Sequence, residues 1–197
     1  MSTKDFEADL SLCKSIHEDT FGSQVLGYRA PCFSFDRQRL DILKNSGFKY
    51  DSSKILFTSH PLYEDLNIEG YVEKSPGIFC LEDFYEFEVS TLPIGGRQIP
   101  VSGGGYLRIF PWFLMHSLLK RYLKSHDLYV LYIHPFELST RSNPVFPDGA
   151  SFTNRARFSL GRQKVSKKLT ACIKMLKNFG FEFTTFSSLR EKMILGI

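Results

Sequence analysis

The sequence predicts an α/β fold with a largely parallel sheet. Segments with strand character alternate with amphipathic segments of helical period along the chain. Leu128 to Ile133 is a continuous apolar run, the pattern of a parallel strand buried on both faces. One antiparallel hairpin, turning at Gly95-Gly96, interrupts the alternation.

The first helix covers residues 3–20, with Phe6, Leu10, Cys13 and His17 on one stripe. Ser2 or Thr3 caps it, and Asp5, Glu7 and Asp9 suit its amino end. Phe21-Gly22 closes it, and Val25 to Tyr28 follows as a short strand ending at Arg29. A second helix spans 36–46, capped by Asp36, with Leu40 and Leu43 facing inward and Gly47 stopping it. Phe48-Lys49-Tyr50 is the next strand, and Asp51-Ser52-Ser53 follows it. Residues 54–77, with Pro61, Gly70, Pro76 and Gly77, read as an irregular connection.

Glu86 to Leu92 alternates, with Phe87, Val89 and Thr91 on one face, and Ile99 to Val101 returns as its partner. Pro111 opens a helix that runs to about Ser125 on Leu114, Met115, Leu118, Leu119 and Tyr122. After the Leu128–Ile133 strand, residues 139–158 form a loop containing Pro144, Pro147 and Gly149. Residues 162–178 form an amphipathic helix on Val165, Leu169, Cys172, Ile173 and Leu176, with its lysines opposite. Gly180 ends it, Phe181 to Phe186 is a strand, and Ser187 caps a last short helix.

A chain of 197 residues, 43% apolar with 19 Phe and 9 Tyr, is expected to be one globular domain. The net charge of +4 does not demand nucleic acid, and no ribonucleoprotein aromatic motif is present, so no nucleic-acid partner is expected. Basic residues gather late: Arg155 to Lys177 holds eight Arg and Lys and no acid. That reads as a solvated helix face, with polyanion contact as the alternative. The four cysteines, Cys13, Cys32, Cys80 and Cys172, have no metal or disulfide spacing and are expected to be buried thiols. No signal peptide opens the sequence and no apolar run reaches membrane length, so a soluble, cytoplasmic protein without a membrane span is expected.

Chemistry is expected at two strand ends, which read as the rims of one site. In Gly27-Tyr28-Arg29-Ala30-Pro31-Cys32-Phe33-Ser34 an arginine ends a strand before a proline. It either forms a structural salt bridge, with Asp51 a candidate partner, or serves a site. In Tyr132-Ile133-His134-Pro135-Phe136-Glu137 a histidine takes the same place, either as a functional group or as a buried structural one. His17, His116 and His126 read as surface residues, His60 is uninformative, and no two histidines have metal-ligand spacing. Ser102-Gly103-Gly104-Gly105 lacks the Gly-Lys-Ser/Thr ending of a phosphate loop and reads as a tight turn with close backbone packing.

The arginine-proline stretch resembles the corresponding motif of polysaccharide deacetylases of the NodB-homology class, in particular the subgroup of exopolysaccharide loci. Tyr50-Asp51-Ser52-Ser53, Pro100 to Arg108 and Tyr132 to Glu137 resemble further segments of that subgroup in the same order. The resemblance implies a partial distorted (β/α) barrel with an inserted β-hairpin, and hydrolysis of N-acetyl groups on a glycan substrate. It implies catalytic places for Arg29, which would orient a catalytic aspartate, for His134, which would protonate the leaving amine, and for Asp51. Tyr28, Pro31, Gly104, Tyr106 and Tyr132 are implied to bind substrate. The family holds a divalent, zinc-like metal with one Asp and two His, which activates water, and a further Asp is the base.

Neither the Thr-Phe-Asp-Asp type motif nor the His-x-x-x-His type motif is present, and only 28 residues precede Arg29. Phe136 stands where the family has tryptophan, and Tyr132 where many members have leucine. The expectation is therefore a single deacetylase-like domain over 1–197 that lacks the metal-binding strands and has no metal of its own. It would work with an amino-terminal partner chain, or act as a non-catalytic glycan-binding or assembly partner. Unpaired sheet edges would favour self-association.

Overall fold

The computed structural model describes residues 1–57, 66–139 and 146–196, so His60, Pro61 and Pro144 lie outside the described residues. The helices are α1 Thr3–Phe21, α2 Arg37–Asn45, α3 Gly104–Ile109, α4 Trp112–Leu123, α5 Pro135–Leu138, α6 Phe152–Ser159, α7 Arg162–Asn178 and α8 Phe186–Leu195. The strands are β1 Gly27–Tyr28, β2 Tyr50–Asp51, β3 Val72–Ser75, β4 Ile78–Leu81, β5 Phe84–Phe87, β6 Thr91–Ile94 and β7 Arg97–Pro100. The chain divides into two compact units, Met1–Val89 with Phe183–Ile197, and Ser90–Glu182.

The first unit holds a five-stranded sheet in the order β1-β2-β5-β4-β3. Its β1-β2-β5 part is parallel and its β5-β4-β3 part antiparallel. The sheet is thus mixed, and no closed barrel forms among the described residues. Strand β3 lies within the expected irregular connection of 54–77, because Pro76-Gly77 turns the chain between β3 and β4, with Gly77 at φ 79°. Its core packs Phe6, Leu10, Phe35, Leu40, Leu43, Phe48, Leu66 and Phe84. Ser2 caps α1 by accepting from Asp5 N, and Asp36 caps α2 by accepting from Arg39 N. The buried stripe of α1 stops at Leu10, leaving Cys13 and His17 exposed; Cys32 is exposed as well, and only Cys80 and Cys172 are buried thiols. No strand follows Gly180: Thr185 caps α8 by accepting from Ser188 N, and residues 182–185 are exposed.

The second unit holds five helices and the β6-β7 hairpin with Gly95-Gly96 at its turn, as expected, but the expected Glu86–Leu92 strand is split: Glu86 and Phe87 belong to β5 of the first unit, and the hairpin begins at Thr91. Leu92, Val101, Leu119, Tyr122, Cys172 and Leu176 form its main core. Leu128–Ile133 is not a strand of a sheet; it makes one isolated parallel bridge, Gly103 to Tyr132. Side chains take over where ladder bonds would form: Val130 N donates to Ser90 Oγ at 2.8 Å and Tyr129 OH to Val101 O at 2.7 Å. Helix α6 lies inside the expected 139–158 loop.

Candidate functional site

The sequence-predicted residues fall into two groups. Tyr28, Arg29, Pro31 and Asp51 belong to the first unit, and Gly104, Tyr106, Tyr132 and His134 to the second.

In the first unit, β1 delivers Arg29 to the segment after β2. Arg29 Nε donates to Ser52 O at 2.7 Å and a terminal guanidinium nitrogen to Ser52 Oγ at 2.6 Å. Ser52 Oγ in turn donates to Phe87 O at 2.6 Å, which ties the arginine to β5. Among these contacts Arg29 grips the residue after Asp51. Gly27 makes room for the neighbouring strand: a Cβ would overlap the edge of the Tyr50 ring. Tyr28 packs into the core against Phe6, Phe35 and Phe48, and burial with the charge of Asp51 pushes its phenol up to about 12. Pro31 is exposed and starts a 3-10 turn in which Cys32 and Phe33 both take positive φ, 55° and 54°. Two successive non-glycine residues in that region mark a strained turn held by its surroundings.

Asp51 is fully buried, and its register partner on β5 is Glu86, also fully buried. Asp51 accepts from Ser53 N at 3.0 Å and from Ser53 Oγ at 2.9 Å. Glu86 Oε1 accepts from Ser53 N at 3.0 Å and Lys54 N at 2.8 Å, while its Oε2 is buried with no hydrogen-bond partner. Burial, then the charge of Asp51, pushes the Glu86 carboxyl well above the usual range. Burial likewise raises Asp51, opposed by hydrogen bonds from Glu86 and Ser53. The two carboxyls therefore act as one proton-sharing pair that fixes the Ser52–Lys54 backbone. Glu86 is not among the residues the motifs predict; an acid within the apolar Phe84-Tyr85-Glu86-Phe87 is its signal in the sequence.

In the second unit, His134 stands before α5 and not at the end of a ladder strand. Its ring is exposed, near Tyr132 at 6.1 Å and stacked on Phe136 at 5.7 Å. Its backbone is clamped twice: His134 N donates to Glu137 Oε2 at 3.0 Å, and Glu137 N donates to His134 O at 2.9 Å. Glu137 is 1% exposed and lies over Gly104, where a Cβ would overlap its Oε2. A Cβ on Gly103 would come within 2.6 Å of Tyr132 OH. Gly104 N donates to Tyr132 O at 2.9 Å, and Tyr132 N to Ser102 O at 3.0 Å. The glycine run is thus the close-packed turn the sequence predicts, and it joins two of the motifs into one corner. Tyr106 is half-buried one turn into α3, its ring 5.8 Å from Phe110.

Metal chemistry needs a converging donor set. Among the described residues no three His, Cys, Asp or Glu side chains come together to hold an ion. Both Asp51 oxygens and Glu86 Oε1 are instead taken by donors of Ser53 and Lys54. These residues do not fit a zinc-like metal.

Residues 67–190, more than half of the chain, match the family described as Domain of unknown function (DUF3473), and the chain belongs to that family. The match contains Glu86, the glycine corner, His134 and Glu137; Arg29 and Asp51 precede it. No curated protein and no solved structure matches.

Proposed function

We propose that this chain contributes to the hydrolysis of N-acetyl groups on a glycan, as a polysaccharide deacetylase-like protein of exopolysaccharide metabolism. The observation that carries the reading is the His134 corner: an exposed imidazole on a backbone clamped by a buried carboxylate. In de-N-acetylation water adds to the acetyl carbonyl, the C–N bond breaks, and acetate and an amine leave. His134 gives the departing nitrogen its proton. Arg29, held by Ser52, orients a carboxylate base. The resemblance of four ordered motifs supports this division of roles. The metal ligands and the base are supplied by residues outside this set, on a second segment or chain.

The test is acetate release from an N-acetylated glycan with zinc or cobalt present. The chain is assayed alone and together with the product of the adjacent upstream reading frame. Release that requires both partners is the expected result. Silence in both assays, with glycan binding retained, would show a non-catalytic glycan-binding partner instead.

A further inference from the structure

The net charge of +4 hides a division. Ser90–Glu182 carries fourteen Lys and Arg against four Asp and Glu, a net +10, while the rest of the chain carries eleven against seventeen, a net −6. The basic unit also exposes bulky hydrocarbon at one corner. Ile109 is 52% exposed, Phe113 77%, Phe158 47% and Leu160 61%.

These four side chains come from segments that hydrogen bonds hold together. Arg108 donates to Phe158 O at 3.1 Å, bringing the last turn of α3 to the end of α6. A Cβ on Gly161 would run into the Arg108 carbonyl, so the α6–α7 junction lies directly on α3. Lys168 of α7 donates to Leu107 O at 2.8 Å and Phe110 O at 2.7 Å, closing the carboxyl end of α3. Phe113 follows in the first turn of α4. Exposed Lys164 and Lys167 lie on α7 within a turn of Lys168, and the charge of Lys164 contributes to lowering the pKa of Lys168, after burial.

We propose that this corner docks the protein on an anionic lipid surface. The six residues Ile109, Phe113, Phe158, Leu160, Lys164 and Lys167 are hydrocarbon or cationic. Hydrocarbon side chains entering the headgroup region, with lysines meeting anionic headgroups, give the two additive terms of interfacial binding. No described helix is long and apolar enough to cross a membrane, so the association is with the surface.

The experiment is flotation of the full chain with vesicles of phosphatidylcholine alone or mixed with phosphatidylglycerol. The expected result is binding to the mixed vesicles only. Phe113→Ser with Leu160→Ser, and separately Lys164→Glu with Lys167→Glu, should each weaken binding about ten-fold or more, with circular dichroism unchanged. Absent flotation, or flotation unaffected by both double variants, would each overturn the proposal. Retention of the chain by soluble alginate without vesicle binding would also overturn it, in favour of a polysaccharide polyanion.

Discussion

Each unit builds a corner from a buried glutamate and a glycine, but the two corners use them differently. In the first unit Glu86 sits against a second acid, and Gly27 makes room for the Tyr50 ring. In the second, Glu137 itself occupies the space that Gly104 leaves. The first corner is therefore limited by charge: the acid pair must share a proton to remain buried. The second is limited by space: the carboxylate that holds His134 has nowhere else to go. The contrast teaches that a buried acid can specify backbone in two ways, and that different substitutions should expose each.

The largest effect is expected at Gly104→Ala. The clash falls on a side chain that is 1% exposed, so it cannot be relieved by rotation into solvent. A loss of about 3 kcal/mol is expected in denaturant unfolding. Gly27→Ala should cost less, about 1–2 kcal/mol, because Tyr50 is half-buried and its ring can yield. Equal losses at the two glycines would erase the contrast.

The charge-limited corner should reveal itself through pH. Both acids have folded pKa values above their unfolded ones, so the folded state binds more protons in the window between them. Their contribution to stability is intact below the unfolded carboxylate range and falls as pH rises through the folded values. Glu86→Gln keeps an acceptor for Ser53 N and Lys54 N and offers Asp51 a donor. That variant should lessen the decline in unfolding free energy as pH rises above the usual carboxylate range, leaving the part that the burial of Asp51 causes. A decline of undiminished slope would place its source elsewhere. Ser52→Ala should have the smallest effect, about 1 kcal/mol, through the hydrogen bonds it makes to Arg29 and Phe87.

The ease of reading the sequence differed between the same regions. Helix α7 was legible because Gly161 and Gly180 bracket a clean helical period. The β6–β7 hairpin was legible from its paired glycines. The Leu128–Ile133 run was misread because apolar continuity cannot tell whether a ladder partner exists; here Ser90 and Tyr129 side chains make the bonds. Helix α6 was hidden behind Pro147 and Gly149, and the β3–β4 hairpin behind Pro76 and Gly77, which mark turns as well as loops. At the site, the motifs pointed to Arg29, Asp51 and His134, while Glu86 stayed hidden because register across strands is a tertiary fact. The role of Glu137 became visible only when α3 and α5 met over Gly104.

The central claim is that the clamped imidazole of His134 serves the departing amine. It is tested most directly by comparing acetate release by the wild type and His134→Asn in the same two-component assembly, with far-ultraviolet circular dichroism to check folding. The account predicts a fall of about a hundred-fold or more with the fold intact. Acetate release at the wild-type rate would contradict it.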